Sequence, residues 1–572
     1  MIGLATLAML SRKIPADGRP FCDRALETLD VSLDLAPGQR TRIPPDGALV
    51  VVANHPTGAL DGLLLLSLLR RVRPDVKILG NSWLQWIREL RGDLIPIDVW
   101  RGRECVQRNA RSLRAAVRWV RHGHALIVFP AGEVAHTRDE EGRLAESAWH
   151  PAAARIARST GATVVPVFIP GRNSVAFQRA GRIHALLRTA LLPRELLRQR
   201  GCSPRLRVGR PIPYSRVCQF PDVSQLTAYL RIRTLALDVP AHSAVRNASV
   251  VVRPLSQPAV AREVTSLPES HVLARSGQSV VYLARAEQIP TALREIGHLR
   301  EIAFRAAGEG SGTECDLDRF DHHYRHLFVW NRARGEIVGA YRVALTDDIL
   351  KRSGVHDLYT STLFEYDRSL IEEIGPALEL GRAFVRPEYQ KDYSSLLLLW
   401  KGIATFVSRA PRYRVLFGPV SISNEYASLS RHILACFLYA TAYSGARGPL
   451  IAGRNEPAFL RTRRDVLPIA GSIVRTLADV SALISEIESD GKGVPVLLRQ
   501  YLKLNARLLG FNVDPAFGNA LDALMLVDLT QVDPSILSRY MGASGTKAFL
   551  TYHGLHDTTS MKTGAPGERR AS

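Results

Sequence analysis

Five short apolar runs, at residues 48–53, 76–79, 94–98, 125–129 and 163–168, alternate with helical stretches up to about residue 217. Such alternation is the pattern of an α/β sheet domain. From about residue 240 to 270 the pattern fades, with Pro240, Pro254, Pro258 and Pro268 set among Ser and Ala, as in a linker. Order then restarts with Val280-Val281-Tyr282-Leu283-Ala284, a helical stretch at 286–305 and strands near 327–330, 337–345 and 378–385. A helix at 394–407 and a strand at 415–417 follow. This half is again α/β, with longer neighbouring strands. The expected organisation is a domain at 1–240, a linker at 241–270, a second domain at 271–542 and a flexible Gly-, Ser- and Thr-containing tail at 543–572. A chain of 572 residues is long enough to bury two cores.

The 75 basic residues outnumber the 54 acidic ones, for a formal net charge of +21. That excess attracts a polyanion: nucleic acid, an anionic membrane surface or an acidic protein. The basic residues are mostly arginine and are spread through the chain, as an arginine-rich proteome also produces. With no zinc-finger spacing, RNA-binding aromatic signature or compact basic tail, no nucleic-acid partner is expected. The six cysteines lack C-x-x-C spacing, which suggests neither a disulfide framework nor a metal site.

No apolar run approaches the roughly 20 residues that a membrane-spanning helix needs, so membrane contact is expected to be peripheral. The candidate is residues 183–200, where Leu186, Leu187, Leu191, Leu192, Leu196 and Leu197 are interleaved with Arg188, Arg194 and Arg198. The segment reads either as an interfacial helix or as an amphipathic helix packed on the core, with Pro193 interrupting its period.

Directly after the first strand comes Asn54-His55-Pro56-Thr57-Gly58-Ala59-Leu60-Asp61-Gly62. A histidine at a strand end, followed by a glycine-containing turn and an aspartate, has the makings of a general base with an orienting carboxylate. Neutral imidazole can take the proton of an acceptor hydroxyl, which then attacks a thioester. Three further segments support this reading: Phe129-Pro130-Ala131-Gly132-Glu133, Val164-Val165-Pro166-Val167-Phe168-Ile169-Pro170-Gly171-Arg172, and Gly92-Asp93-Leu94-Ile95-Pro96-Ile97-Asp98-Val99-Trp100-Arg101. Strand-end turns of an α/β sheet gather on one edge, where ligands usually bind.

At these residues the chain resembles the glycerolipid O-acyltransferase family, which includes lysophosphatidate acyltransferases, over roughly its first 230 residues. The resemblance implies His55 as base and Asp61 as its partner. It also implies Arg101 or Arg103 as the anion-binding group for the acceptor, and residues 129–133, with Gly132 and Glu133, as part of the acceptor pocket. Five residues separate His55 from Asp61 where the family usually has four, and Ala131 stands where the family carries glutamate. Gly58 is expected to absorb the extra residue. The missing carboxylate points to an acceptor other than ordinary lysophosphatidate, with Glu133 as its potential substitute.

In the second half, Ala377-Leu378-Glu379-Leu380-Gly381-Arg382-Ala383-Phe384-Val385-Arg386-Pro387-Glu388-Tyr389 carries a glutamate and two arginines into a proline-marked turn. By strand period, Glu379 and Gly381 share a face and Arg382 points to the other. Glu379 reads either as the carboxylate that faces a substrate amine or as a partner in a structural ion pair. Arg382 and Arg386 are the candidates for binding the acceptor's carboxylate, and the turn after Arg386 for a phosphopantetheine phosphate.

Together with Leu399-Trp400-Lys401-Gly402-Ile403-Ala404, Leu416-Phe417-Gly418-Pro419-Val420-Ser421-Ile422 and Val494-Pro495-Val496-Leu497-Leu498-Arg499-Gln500-Tyr501-Leu502, these residues resemble the long-chain N-acyltransferases related to ornithine lipid synthases. Those are variants of the acetyltransferase (GNAT) fold. The resemblance implies two α/β domains, an acyltransferase domain followed by a GNAT-related one, with no bound cofactor and no metal. No pyrophosphate loop of the R/Q-x-x-G-x-G kind follows the strand, which favours acyl carrier protein over coenzyme A as acyl donor.

The pairing of the two halves resembles the fused ornithine lipid synthases. It implies N-acylation of the small amino acid ornithine by a 3-hydroxyacyl carrier protein, then O-acylation of that lyso-lipid, peripherally at the cytoplasmic face of the inner membrane. The alternatives are a glycerophospholipid O-acyltransferase fused to an N-acyltransferase for another amine such as glycine, or to a non-catalytic membrane-binding module.

Overall fold

The structure, a computed structural model, describes residues 14, 17–98, 103–135, 137–138, 144–145, 147–183, 185–238, 257–391, 394–457 and 473–555. The chain divides into two compact units, the first holding Met1–His242 with Arg461–Asp479, the second Ser243–Leu460 with Val480–Ser572.

The first unit contains β1 (Asp34–Leu35), β2 (Leu49–Ala53), β3 (Val76–Asn81), β4 (Leu94–Ile97), β5 (Ala125–Val128), the small hairpin β6 (Thr137–Arg138) and β7 (Leu144–Ala145), β8 (Thr163–Phe168) and β9 (Arg205–Val208). Apart from the hairpin they form one sheet in the order β1-β9-β8-β2-β5-β3-β4. Only the β8–β9 pair is antiparallel.

The central strand β2 reads Leu-Val-Val-Val-Ala because both of its faces are covered. Leu49, Val51 and Ala53 pack with the helices Phe21–Thr28 and Ala59–Arg70, while Val50 and Val52 are buried on the side of Ala152–Thr160 and Val223–Leu235. Each such buried valine or leucine contributes about 1.5–3 kcal/mol, so β2 is a stiff platform for the residues at its end. With β8, β2 and β5 parallel and adjacent, their carboxyl ends lie side by side.

The second unit contains β10 (Val272–Ser276), β11 (Ser279–Arg285), β12 (Arg325–Asn331), β13 (Glu336–Leu345), β14 (Phe364–Tyr366), β15 (Ala377–Val385), β16 (Val415–Ile422), β17 (Ile451–Gly453), β18 (Arg507–Asp514) and β19 (Ala520–Asp528). β14 pairs with β17; the rest form a sheet in the order β10-β11-β12-β13-β15-β16-β19-β18. All its pairs are antiparallel except β15–β16. That parallel pairing holds only from Ala377–Glu379 against Val415–Phe417. Beyond it, β15 stays with β13 as far as Val385, and β16 stays with β19 as far as Ile422. The sheet therefore splays in the middle.

Three expectations are corrected here. Residues 543–552, read as tail, belong to the helix Pro534–Tyr552, which kinks at Gly542. Phe549 and Leu550 are buried, and the helix packs on Ser394–Arg409, so apolar contact extends the fold past the glycine. Within the expected linker, Gln257–Thr265 is a helix whose Val260 and Val264 enter the second unit's core; residues 239–256 lie outside the described residues. The period-two reading fails at Arg382, whose φ of 49° accompanies a register slip between Gly381 and Phe384. This is a β-bulge, which re-aims the chain at the splay.

The segment at 183–200 forms most of the helix Ala185–Arg198, with Pro193 inside it. Leu196 joins the core and Leu197 is exposed, so at these positions the helix packs on its own unit. Among the described residues, no helix is long and apolar enough to cross a membrane.

Candidate active sites

At the end of β2, the Asn54 amide ties two strands together: its Nδ2 donates to the Ile169 carbonyl at 2.8 Å, and the Ile169 N–H donates to its Oδ1 at 2.6 Å. The next residue, His55, stacks on Phe129 at the end of β5, with ring centroids 4.1 Å apart and 19° between planes. The Ala135 N–H donates to the His55 carbonyl at 2.9 Å, tying the loop after β5 to the histidine. Three of the sequence motifs are thereby brought to one place.

His55 Nδ1 lies 2.8 Å from Asp61 Oδ2. The same oxygen accepts the Thr57 and Gly58 N–H groups, each at 2.9 Å, and the Thr57 hydroxyl donates to Oδ1. Asp61 is fully buried, whereas the His55 side chain is 17% exposed. A carboxylate held by this many donors is fixed in place, keeping the imidazole proton on Nδ1 and making Nε2 the nitrogen that takes a hydroxyl proton.

The five-residue spacing is accommodated by Gly58, the N-cap of the helix Ala59–Arg70, at φ 93° and ψ −122°. A Cβ there would sit 3.0 Å from Leu192 Cδ2, so both backbone and space call for glycine.

Gly132, at φ 71°, turns the chain after β5 and is exposed. The Glu133 carboxylate beside it accepts the Ser147 hydroxyl. Arg103 is the first residue of the helix Arg103–Arg121, and Arg101 lies outside the described residues. The roles of Asn54 and Thr57 were missed in the sequence; both are short polar residues beside the histidine, which is the only signal they carry.

In the second unit, the splay between β15 and β16 opens a cavity of about 440 Å³. Its lining draws on both faces of the sheet. Arg342 stacks over Tyr324 and Tyr359 on one face, while its neighbour Tyr341 packs edge-on against Trp400 on the other. Tyr341, Leu399, Val496 and Tyr501 line a largely apolar part of the cavity, and Glu309, Arg382, Ser421 and Asp522 supply polar groups.

Of the residues read from the sequence, Arg382 reaches this cavity; Glu379 and Arg386 do not. Glu379 is 1% exposed. One of its oxygens accepts the Tyr324 hydroxyl and the other the Thr360 N–H at 2.6 Å, while burial raises its pKa. The expectation that it faces the amine is corrected, because the residue sits on the stretch of β15 still paired with β16, before the splay opens. Glu379 instead braces the turn that presents Tyr359 to the cavity. Arg386 pairs with Glu336 at 2.8 Å.

Glu379→Ala is expected to leave the Tyr324 hydroxyl proton and the Thr360 N–H without their acceptor, while the Tyr324 oxygen keeps the Tyr359 N–H, and to cost about 1–3 kcal/mol of stability. Thermal unfolding of the purified protein would show it. An unchanged melting temperature would contradict this bracing role.

The carboxylates that do line the cavity, Glu309 and Asp522, were missed. Burial pushes Asp522 up to about 7. Burial, followed by the charges of Asp522 and Glu425, pushes Glu309 up to about 8. Glu309 sits in a glycine-rich loop and Asp522 on a strand absent from the sequence reading, so neither stood beside a recognisable motif.

Residues 15–239 match the family model described as acyltransferase, and residues 299–401 match the acetyltransferase (GNAT) domain model. The glycine N(alpha)-acyltransferase of Bacteroides thetaiotaomicron is 30% identical over 295 residues, covering 49% of this chain and 86% of that protein. The chain belongs to the family of that N(alpha)-acyltransferase. This two-domain acyltransferase is also similar to the L-ornithine N(alpha)-acyltransferase of Brucella abortus, at 26% identity over 48% of the chain and 92% of the relative. The lyso-glycine lipid O-acyltransferase of Phocaeicola vulgatus is 27% identical over 34% of the chain and 70% of that protein. An acyltransferase domain and a GNAT domain are thus joined in one enzyme.

Proposed function

We propose that this acyltransferase makes a two-chain aminolipid. The second unit transfers a 3-hydroxyacyl group to the α-amine of ornithine, and the first unit esterifies the hydroxyl so introduced. The observation that carries the reading is the presence of two unlike sites in one chain. A histidine–aspartate pair is suited to activating a hydroxyl. A cavity with apolar and acidic portions is suited to a long acyl chain and an amine.

Each step is a thioester transfer. In the O-acyl step, His55 Nε2 takes the hydroxyl proton as the oxygen attacks, then returns it to the departing thiolate. In the N-acyl step the nitrogen must be neutral when it attacks, which requires a carboxylate to take its proton. The acyl donor in both steps is an acyl carrier protein, an acidic partner that suits the net charge of +21. The same charge suits peripheral attachment to the anionic cytoplasmic face of the inner membrane, where the lyso-lipid resides.

Glycine as acceptor is the second reading, favoured by the relative from Bacteroides thetaiotaomicron named as a glycine acyltransferase. Mass spectrometry of lipids from a bacterium lacking aminolipids, expressing the full chain, tests both. A two-chain ornithine lipid is the expected product, and a two-chain glycine lipid would transfer the assignment to glycine. An unaltered aminolipid profile with changed phosphatidic acid species would overturn both.

A further inference from the structure

We infer that Asp522 and Glu309 receive the amino groups of the acceptor while Arg382 holds its carboxylate, an arrangement that fits the site to a dibasic amino acid. The inference rests on the N-acyltransferase reading above and assigns residues to it.

Asp522 lies on β19 directly opposite Ser421, whose hydroxyl donates to its Oδ1 at 2.8 Å. Its Oδ2 is buried without a hydrogen bond, although Asp522 lines the cavity and is only 2% exposed. A half-used carboxylate at such depth is costly unless something cationic completes it. Glu309 lines the same cavity and is close enough for the Asp522 charge to oppose its ionisation. Burial is the first cause of both raised values and neighbouring carboxylates add to it, so either carboxylate gains from a positive charge placed beside it. An ammonium group supplies it.

Arg382 is held by the bulge with its guanidinium between the rings of Tyr359 and Phe517, at 5.1 and 4.8 Å from their centroids. Asp316 and Asp318 approach it only to 3.5 and 3.8 Å, and its Nε is buried without a hydrogen bond. Donor capacity remains for a carboxylate. Two carboxylates and one guanidinium mirror a molecule with two ammonium groups and one carboxylate. Glycine would leave one of the two carboxylates uncompensated.

The transfer balances. The α-ammonium gives one proton to the Asp522 carboxylate, and the neutral nitrogen attacks the thioester carbon. The C–N bond forms as the C–S bond breaks. The nitrogen's second proton goes to the departing sulfur, releasing the carrier thiol, and Asp522 returns its proton to solvent.

The test uses the purified full chain with a 3-hydroxyacyl carrier protein, and ornithine or glycine as acceptor, with amide product measured by mass spectrometry. Glu309→Gln is expected to lower the ornithine-to-glycine ratio of kcat/KM by roughly tenfold or more, the scale of one lost charged hydrogen bond. Asp522→Asn is expected to lower kcat by about 100-fold or more with either acceptor. It should also abolish the rise in rate with pH through the region near 7, where Asp522 ionises amid Asp514, Arg382 and Glu309.

Asp522→Asn should not melt lower than the parent at pH 8. The Asp522 carboxyl is raised on folding from 3.8 to about 7, so its favourable contribution is fully present below 3.8 and is lost as pH rises through 7. An unchanged acceptor ratio in Glu309→Gln, or an unchanged kcat and pH profile in Asp522→Asn, would overturn the inference. A parent enzyme that acylates glycine but not ornithine would overturn the dibasic fit and leave the N-acyltransferase reading standing. A parent that forms no amide with either would sink that reading as well.

Discussion

His55→Ala is expected to lower the O-acyl step by about 10²–10⁴-fold, the usual contribution of a positioned general base. Cells expressing this variant would accumulate the one-chain lipid while N-acylation continues. The size of the effect follows from the surroundings of the imidazole. Its Nδ1 side is committed to a buried carboxylate that also holds two backbone N–H groups and the Thr57 hydroxyl, so the ring cannot rotate to offer its other nitrogen without breaking that set. Phe129 fixes the ring plane. Asp61 keeps its three remaining donors in the variant, so the fold around the turn should survive, and circular dichroism would check this. Two-chain lipid at parental levels from a folded His55→Ala protein would remove the histidine from the mechanism.

Gly418→Ala is expected to be the most damaging single methyl in the second unit. A Cβ on Gly418 would lie 1.9 Å from the Leu380 carbonyl oxygen and 3.0 Å from its carbon. The obstacle is backbone, not the far end of a flexible side chain, so it cannot turn aside. Gly418 and Leu380 are the first residues past the parallel pairing of β15 with β16, where the two strands are still close before they splay. Relief requires the strands to part earlier, which would break the pairing of Glu379 with Phe417 and reshape the cavity. A cost at or above the usual 1–3 kcal/mol for overpacking is expected, with loss of N-acylation and retention of the first unit's His55–Asp61 geometry. Thermal unfolding together with lipid analysis measures both. A variant with parental melting and N-acylation would show that the strands already have room, contradicting the close approach.

The α/β class and the main strands of the first sheet were legible because the code for them is local. Short apolar runs bounded by turn residues mark strands wherever both faces are covered, and β2, β3, β4, β5 and β8 all carry that mark. The His55–Asp61 pair was legible for the same reason: it lies within one turn, and helix N-capping brings its partners together with little help from distant chain. β18 and β19 were not read, and with them went Asp522. They come late in the chain, separated from β16 by a long stretch, and their place in the sheet is set by pairing across that distance.

The sequence by itself determined the division into two α/β domains and the strand-end position of His55. Each follows from a local pattern whose physical meaning does not depend on what the rest of the chain does. The tertiary structure alone decided which carboxylates face the second cavity. Glu379 was the conspicuous glutamate on its strand, yet it lies before the splay and spends its oxygens on Tyr324 and Thr360. Asp522 and Glu309, on elements far apart in the chain, meet there because strands that pair for only three residues and then diverge open a gap through the sheet. Strand divergence is a property of long-range pairing and of a bulge at Arg382, and neither is written in the local period of the residues that line the gap.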